Sequence, residues 1–445
     1  MADNPKEFVI SGSLNDVSKD RNPSPPPQLL ENESAMADII NGTVVSKQWV
    51  LQTLLSAVKE VETDSSKALS EENLINNDEA KELDDNLECE LSKLWDMSME
   101  SAVASFLMEC NVPTTLIGLI IKSNVPRLTE ISVGILANLV CNPSICQNFS
   151  ENEDFVDVVL QLLANSDPQT VIETIRLAST CISTCPTANI WLKSIKSHET
   201  VLKSVIFIFE SSTNSVLLEG LAQLVDTILD SDEEILTSWS QKELVAAILE
   251  SFRQIGNSKP EASDTLCHIL QLISVSPDGC TVISHYGNEI SKEMEKYIKA
   301  ICEQDFVDIN GRQCGLASCI DVLAKIYLSN EINFQFSGST IFGYLLQLNR
   351  LLSPIPPDLG NGTSNLNQVL IETLSNFWCN LLRFWQHTEY LLQTLDKAPE
   401  KDIRHLLKCL KLRQEFSFIE HLKESIDRSG AYNRLTEFMN KEINR

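Results

Sequence analysis

The chain has 445 residues, of which 43% are hydrophobic and 22% charged, and its formal net charge is −27. This apolar content is too high for a largely disordered chain, and 15 glycines are too few for a turn-rich all-β fold. So acidic a surface repels nucleic-acid phosphates and anionic lipid headgroups, which leaves protein partners with basic segments as the expected ligands.

The opening residues, MADNPKEFVISGS, lack the charged and apolar regions of a secretory signal. No apolar run approaches the roughly 18 residues that a membrane helix needs. We therefore expect a reducing compartment, in which the 13 cysteines are free thiols.

The first part of the chain is predicted to contain little regular structure. Residues 1–40 include DRNPSPPPQ, which is typical of an exposed, disordered polyproline-like tail, and Ser24 is a candidate for proline-directed phosphorylation. Residues 41–61 have apolar side chains at helical spacing and are predicted to form a docking or capping helix. Residues 62–82 are interpreted as an acidic linker.

A stripe of leucines marks the start of the folded body. They recur about one helical turn apart, and Trp95 closes the stripe. The leucines are Leu83, Leu87, Leu91 and Leu94. Because the side chains between them are mainly acidic, we predict an amphipathic helix that caps the first repeat. The candidate partner surface consists of Asp84, Asp85, Glu88, Asp96, Glu100, Glu130 and Asn138.

The strongest pattern is an internal repeat. Segments 116–140, 159–183 and 205–229 align without a gap, each with an apolar run, a Ser and, seven residues later, a Glu. The serines, with one from a weaker fourth copy, are Ser123, Ser166, Ser212 and Ser258. A period of about 40–47 residues with two or three helices is typical of armadillo and HEAT repeats. We therefore predict an all-α, armadillo/HEAT-like α-solenoid, with a capping helix and about four repeats over 83–290. Divergent helical repeats and a C-terminal cap are predicted over 291–445.

The repeat also predicts local structure. Each apolar run should be a buried helix that ends near its Ser, and in NSDPQT Asp167 should cap the next helix, with Pro168 at its first position. An aromatic residue follows each Ser by 25 to 28 residues and is predicted to lie on or near the short first helix of the next repeat. These residues are Phe149, Trp191, Trp239 and Tyr286.

No motif of a known enzyme class occurs in the sequence. It lacks a phosphate-binding loop, a dinucleotide-binding glycine pattern and a nucleophile elbow. Cys267 and His268 are adjacent, but neighbouring side chains on a helix point about 100° apart. Cys181 and Cys185 could hold half a metal site, although small buried residues explain them better. We expect no catalysis, cofactor or metal.

Asn138 has two interpretations. Importin-type armadillo proteins bind extended peptides with Trp and Asn at fixed places on the third helix of each repeat. Asn138 occupies the Asn place, but Gly134 occupies the Trp place, and the Asn column continues as Cys181 and Thr227. Because the Trp–Asn array is absent, the other interpretation is a local hydrogen-bonding role at a helix terminus.

ECELSKLWDMSMESAVASFLMECNVP, followed by PRLTEISVGILANLVC, resembles the serum amyloid A-like protein family, a small armadillo-type family of animals. The resemblance is most specific over residues 88–146. It implies a non-enzymatic, mainly nuclear protein linked to cell proliferation, notably of synovial fibroblasts under inflammatory stimuli. It brings no catalytic or ligand-binding residues with it.

We therefore expect a monomeric adaptor or scaffold that binds protein partners in the nucleus, with the cytoplasm as a second location. The alternative is a transport-receptor or chaperone-like solenoid that binds basic peptide segments on an acidic concave face.

The solenoid prediction can be tested with Leu136→Asp, which lies in a predicted inter-repeat helix. A buried carboxylate without a partner costs several kcal/mol, so the variant should unfold the array. Circular dichroism of the wild type should be dominated by helix, and the variant should lose that signal. A strand-rich wild-type spectrum would refute the fold.

Overall fold

The computed structural model describes residues 37–68, 81–184, 186–256, 258–303, 309, 311–329, 339–352, 363–384, 388–412 and 416–443. These residues form 23 α-helices, and the extended pairing among them is limited to an isolated bridge between Ile39 and Ser46. The all-α prediction is confirmed. The tail up to residue 36, with Ser24, and residues 69–80 of the acidic segment lie outside the described residues.

The helices, numbered in chain order, are α1 (Lys47–Ala68), α2 (Asp85–Met97), α3 (Ser101–Glu109), α4 (Val112–Lys122), α5 (Pro126–Leu139), α6 (Pro143–Ser150), α7 (Glu153–Leu162), α8 (Pro168–Ser183), α9 (Ala188–Ser197), α10 (Glu199–Ser211), α11 (Ser215–Ser231), α12 (Glu233–Trp239), α13 (Lys242–Ile255), α14 (Pro260–Ile273), α15 (Pro277–His285), α16 (Gly287–Cys302), α17 (Gln313–Leu328), α18 (Ser339–Leu351), α19 (Thr363–Phe384), α20 (Thr388–Lys397), α21 (Glu400–Leu412), α22 (Phe416–Ser429) and α23 (Asn433–Ile443). They divide into two compact units, unit 1 (Met1–Leu139) and unit 2 (Val140–Arg445).

Unit 1 is built from two pairs of stacked helices. α1 packs on α4 and α2 packs on α5, while α3 contacts α4. α5 is buried from Leu128 to Leu139 because nearly every one of its residues is apolar or small. The leucine stripe is buried at Leu83, Leu91 and Leu94, as its spacing predicts.

Unit 2 repeats a three-helix group. Short helices α6, α9, α12 and α15 begin successive groups. The third helices stack on one another in the order α8, α11, α14, α17 and α19, which we call row one. The second helices stack in the order α7, α10, α13, α16, α18 and α21, which we call row two. Two rows of consecutively stacked helices are the architecture of an α-solenoid.

The helix caps and helix ends predicted from the repeat, and most of the predicted aromatic positions, are found in unit 2. The Asp167 side chain accepts the N–H of Thr170 and caps α8, whose first residue is Pro168. Ser212 ends α10, and Asn214 caps α11 in the same way. The aromatics Phe149, Trp191 and Trp239 lie on the short first helices and are buried there, whereas Tyr286 directly follows α15.

Three predicted domain boundaries fall inside structured segments. Ile40 is buried and its N–H bonds Val45 O, although the tail was drawn to residue 40. α1 continues to Ala68, into the range assigned to the linker. Residue 290 lies within α16, and row stacking continues beyond it.

A buried ion pair ties α14 to the start of α17. Arg312 Nε lies 2.7 and 2.9 Å from the two carboxylate oxygens of Asp264, and the Tyr297 hydroxyl donates to the same carboxylate at 2.5 Å. The side chains of Arg312 and Asp264 are only 17% and 16% exposed. Gly315 makes room for the pair, because a Cβ there would overlap Asp264.

Arg312→Ala should lower the free energy of unfolding by about 3 kcal/mol, because it leaves the Asp264 carboxylate buried without its cation. Urea unfolding followed by circular dichroism measures the loss. Arg428→Ala is the matched control, since Arg428 forms an exposed pair with Glu424, and it should cost less than about 0.5 kcal/mol. Equal losses in the two variants would contradict a structural role for the buried pair.

Candidate partner-binding site

The predicted acidic surface lies mainly on α2, in unit 1. The Asp84 side chain accepts the N–H groups of Asn86 and Leu87 and so serves as the N-cap of the helix. Asp85 is exposed in the first turn, where a carboxylate stabilises the helix dipole. Asp96 is exposed near the other end of α2, about 17 Å from Asp85 along the helix axis at 1.5 Å per residue. The exposed aspartates therefore do not form one cluster.

Two of the predicted carboxylates share one arginine inside unit 1. Arg127, on α5, donates to Glu88 at 2.8 Å and pairs with Glu130 at 2.7 Å. Glu130 is only 9% exposed. These residues join α2 to α5, and only the side chain of Glu88, which is 38% exposed, remains open to a partner. Glu100 stands half-buried at the start of α3.

Asn138 holds the end of α2. Its Nδ2 donates to Trp95 O at 2.8 Å and to Ser98 Oγ at 2.9 Å, and the residue is 8% exposed. The structure thus places it at a helix terminus. The Trp95 indole lies over Gly134, where a Cβ would overlap the ring.

A second acidic surface lies on row one of unit 2. α11 and α14 carry five carboxylates and no Lys or Arg. We define the acidic face as Glu219, Asp226, Asp230 and Glu261, since the fifth, Asp264, is engaged by Arg312. The residues of α11 follow a spacing of seven and four, which puts them on one side of the helix. That spacing could have revealed the face from the sequence.

Part of the negative charge of the acidic face is compensated by side chains of the next three-helix group. Lys259, before α14, pairs with Glu219 at 2.8 Å. His268 Nδ1 lies 2.7 Å from Asp226 Oδ1, and the hydrogen bond with Asp226 is the main cause that raises the pKa of His268, with Asp230 adding to it. Asp226 and Asp230 therefore favour the protonated, cationic form of His268.

The cysteine and histidine motifs of the sequence do not form a catalytic or metal-binding site among the described residues. Cys267 is fully buried, while His268 faces Asp226, so the two do not form a nucleophile–base pair. Cys181 is buried, and Cys185 lies outside the described residues. In the part of the chain that the structure describes, no three His, Cys, Asp or Glu side chains are grouped as metal ligands.

Among the described helices, no single one is long and apolar enough to cross a membrane, although two bent helix pairs match by length and composition.

Comparisons with known proteins agree with one another. A family model described as the SAAL1 C-terminal domain matches residues 201–426. Protein saal1 of Danio rerio is 39% identical over 434 residues, which cover 91% of this chain and 90% of the relative. Protein SAAL1 of Homo sapiens and that of Mus musculus are each 36% identical over 339 residues, covering 70% of this chain and 71% of the relative.

The His268–Asp226 pair should make stability depend on pH. Because the folded-state pKa of His268 is raised, the pair's contribution is fully present below the unfolded-state pKa of about 6.5 and is lost as pH rises through the folded-state pKa. Water screens the partly exposed pair, so the contribution should stay below about 1 kcal/mol.

Chemical unfolding of the wild type and of His268→Gln at pH 5.5 and pH 8.5 measures the contribution of the pair to the free energy of unfolding. The wild type should be the more stable protein at the lower pH, and the difference in unfolding free energy between the two proteins should shrink at the higher pH. A difference that does not change with pH would contradict the assignment.

Proposed function

The chain belongs to the serum amyloid A-like (SAAL1) family, and we propose that it is a non-enzymatic helical adaptor that binds protein partners through their basic segments. The relatives are not named as enzymes, which supports a scaffold rather than a catalyst.

The acidic face of unit 2 carries the proposal. Its carboxylates lie on two adjacent helices of a solenoid row, and α11 and α14 themselves supply no Lys or Arg to neutralise them. Asp230 and Glu261 are exposed. An extended segment with Lys or Arg at intervals would place its cations between these carboxylates, and solenoids commonly bind extended segments along a row of helices.

The family resemblance supports a proposal for the biological setting. We propose a protein that acts in the nucleus, with the cytoplasm as a second location, and that promotes proliferation, including that of synovial fibroblasts exposed to inflammatory stimuli. The net charge of −27 supports protein partners over nucleic acid or membranes. We propose a monomer, and phosphorylation at Ser24 remains a prediction.

A transport-receptor or chaperone-like role is the second candidate, favoured by the same acidic face. The two functions differ in selectivity, because an adaptor should prefer one arrangement of basic residues and a chaperone-like binder should accept many. Asn138→Ala does not separate them, because Asn138 is held by Trp95 and Ser98. A panel of basic peptides of equal charge and shuffled order does. Equal affinities across the panel would favour the second candidate.

The proposal is tested with Asp230→Lys combined with Glu261→Lys. This variant should bind a fluorescein-labelled Lys- and Arg-rich peptide at least about tenfold more weakly, as measured by anisotropy, because two attractive charges become repulsive. Glu199→Lys combined with Glu210→Lys is the control, since it makes the same charge change at exposed positions of α10.

The control should keep nearly full affinity, and in cells it should retain the basic partners that the acidic-face variant loses. Equal loss in the two variants would reduce the effect to net charge. Unchanged binding by the acidic-face variant would refute the proposed surface.

A further inference from the structure

Two basic side chains of the protein itself lie on the acidic face. Lys259 Nζ is 2.8 Å from a carboxylate oxygen of Glu219, and His268 Nδ1 is 2.7 Å from Oδ1 of Asp226. Both come from the three-helix group that follows α11 and reach back to that helix. A basic segment that offers Lys or Arg to these carboxylates therefore meets a basic side chain of the protein at each of them.

The two basic side chains differ in how firmly they hold their proton. The hydrogen bond with Glu219 raises the pKa of Lys259, whose ordinary value of about 10.4 already keeps it charged at physiological pH. The ordinary pKa of histidine is about 6.5, so a modest change of pH removes the charge of His268. A neutral imidazole can still donate one hydrogen bond, but it no longer compensates the charge of Asp226.

The imidazole lies where a partner's cations would bind. The side chains of His268 and Asp226 are 39% and 26% exposed, so both are open to solvent. Asp230 is exposed one helical turn after Asp226, and its charge also stabilises the imidazolium. Because side chains four residues apart on a helix lie about 5–6 Å from one another, a Lys or Arg bound to Asp230 comes close to the charged imidazole. The two cations repel each other at that distance, and the repulsion ends when His268 loses its proton.

The other helices that pack against α14 leave the imidazole to the carboxylates of α11. Towards α17, Asp321 pairs with Lys325 at 3.0 Å, and Arg312 is held by Asp264, one turn before His268 on α14. The described charged side chains of α12, α13 and α15 do not act on the imidazole. The acidic face therefore governs the proton on His268, and a ligand that neutralises the face acts on that proton directly.

We propose that His268 regulates the acidic face through its proton: the charged imidazole occupies Asp226 and repels the basic segment of a partner, and the neutral imidazole leaves the carboxylate to that partner. This regulation presupposes the proposed function of the acidic face as a site for basic segments. Asp226 raises the pKa of His268, so the weakly binding, protonated form persists above about pH 6.5 and gives way as pH rises through the folded-state pKa. Because linkage is reciprocal, a basic segment that binds also favours release of the proton.

The test uses the full chain and an Arg-rich peptide labelled with tetramethylrhodamine, because neither the arginines nor the dye titrates between pH 5.5 and pH 8.5. The anisotropy of the peptide gives its affinity at each pH, at constant ionic strength. Wild type should bind about two- to fivefold more tightly at pH 8.5, the range expected for one partly exposed ion pair. His268→Gln keeps a hydrogen-bonding side chain without the charge, and it should bind with nearly the same, high affinity at both pH values.

Two variants are matched controls. His198→Gln removes an imidazole that lies 3.4 Å from Asp157 on α7, a helix of row two, and it should keep the wild-type pH dependence. Lys259→Gln removes a charge that does not titrate in this range, so it should tighten binding at both pH values and keep the pH dependence. Calorimetry in buffers of different ionisation enthalpy is the second readout: near neutral pH, binding should release more protons from wild type than from His268→Gln.

A His268→Gln variant that keeps the wild-type pH dependence, or that releases as many protons as wild type, would overturn the regulation. Loss of the pH dependence in His198→Gln would overturn it as well. A wild type that binds the peptide equally at both pH values would overturn the regulation while the proposed function of the acidic face stands. A wild type that binds the peptide at neither pH would refute both.

Discussion

Burial of one helix by its neighbours in the next repeat is the constraint on which this protein depends. A three-helix group such as α9, α10 and α11 cannot cover its own apolar side chains, and α11 is buried only because α8 and α14 pack against it. Because each row helix is covered by its two neighbours in the row, only one strip of its surface faces solvent. The solvent-facing strips of successive helices lie side by side, so their polar residues form rows along the solenoid.

Burial of apolar side chains drives the stacking of the helices, and polar contacts between stacked helices fix their relative positions. Arg127 in unit 1 and Arg312 in unit 2 each join two stacked helices through a carboxylate, Glu88 on α2 and Asp264 on α14. Because a carboxylate used in this way is no longer available to a ligand, the surface open to partners is smaller than the acidic composition suggests.

The sequence predicted what depends on near neighbours. Asp167 and Pro168 are adjacent to the helix they begin, and the leucines of α2 are spaced by its own turns, so both were foreseen, as was the repeat itself. Partners distant in sequence were not: Glu130 and Glu88 share Arg127, and Asp264 meets Arg312, because stacking brings together residues about one repeat apart.

The contact between Gly134 and Trp95 links two positions that must change together. The indole occupies the volume that a side chain at 134 would fill, and the Trp95 carbonyl is at the same time held by Asn138. A larger residue at 134 is compatible with this packing only if residue 95 becomes smaller. Among relatives, the sizes of these two side chains should therefore vary in opposite directions. The place of a ligand-binding tryptophan on the third helix is here taken by a tryptophan from α2, the helix that packs against it.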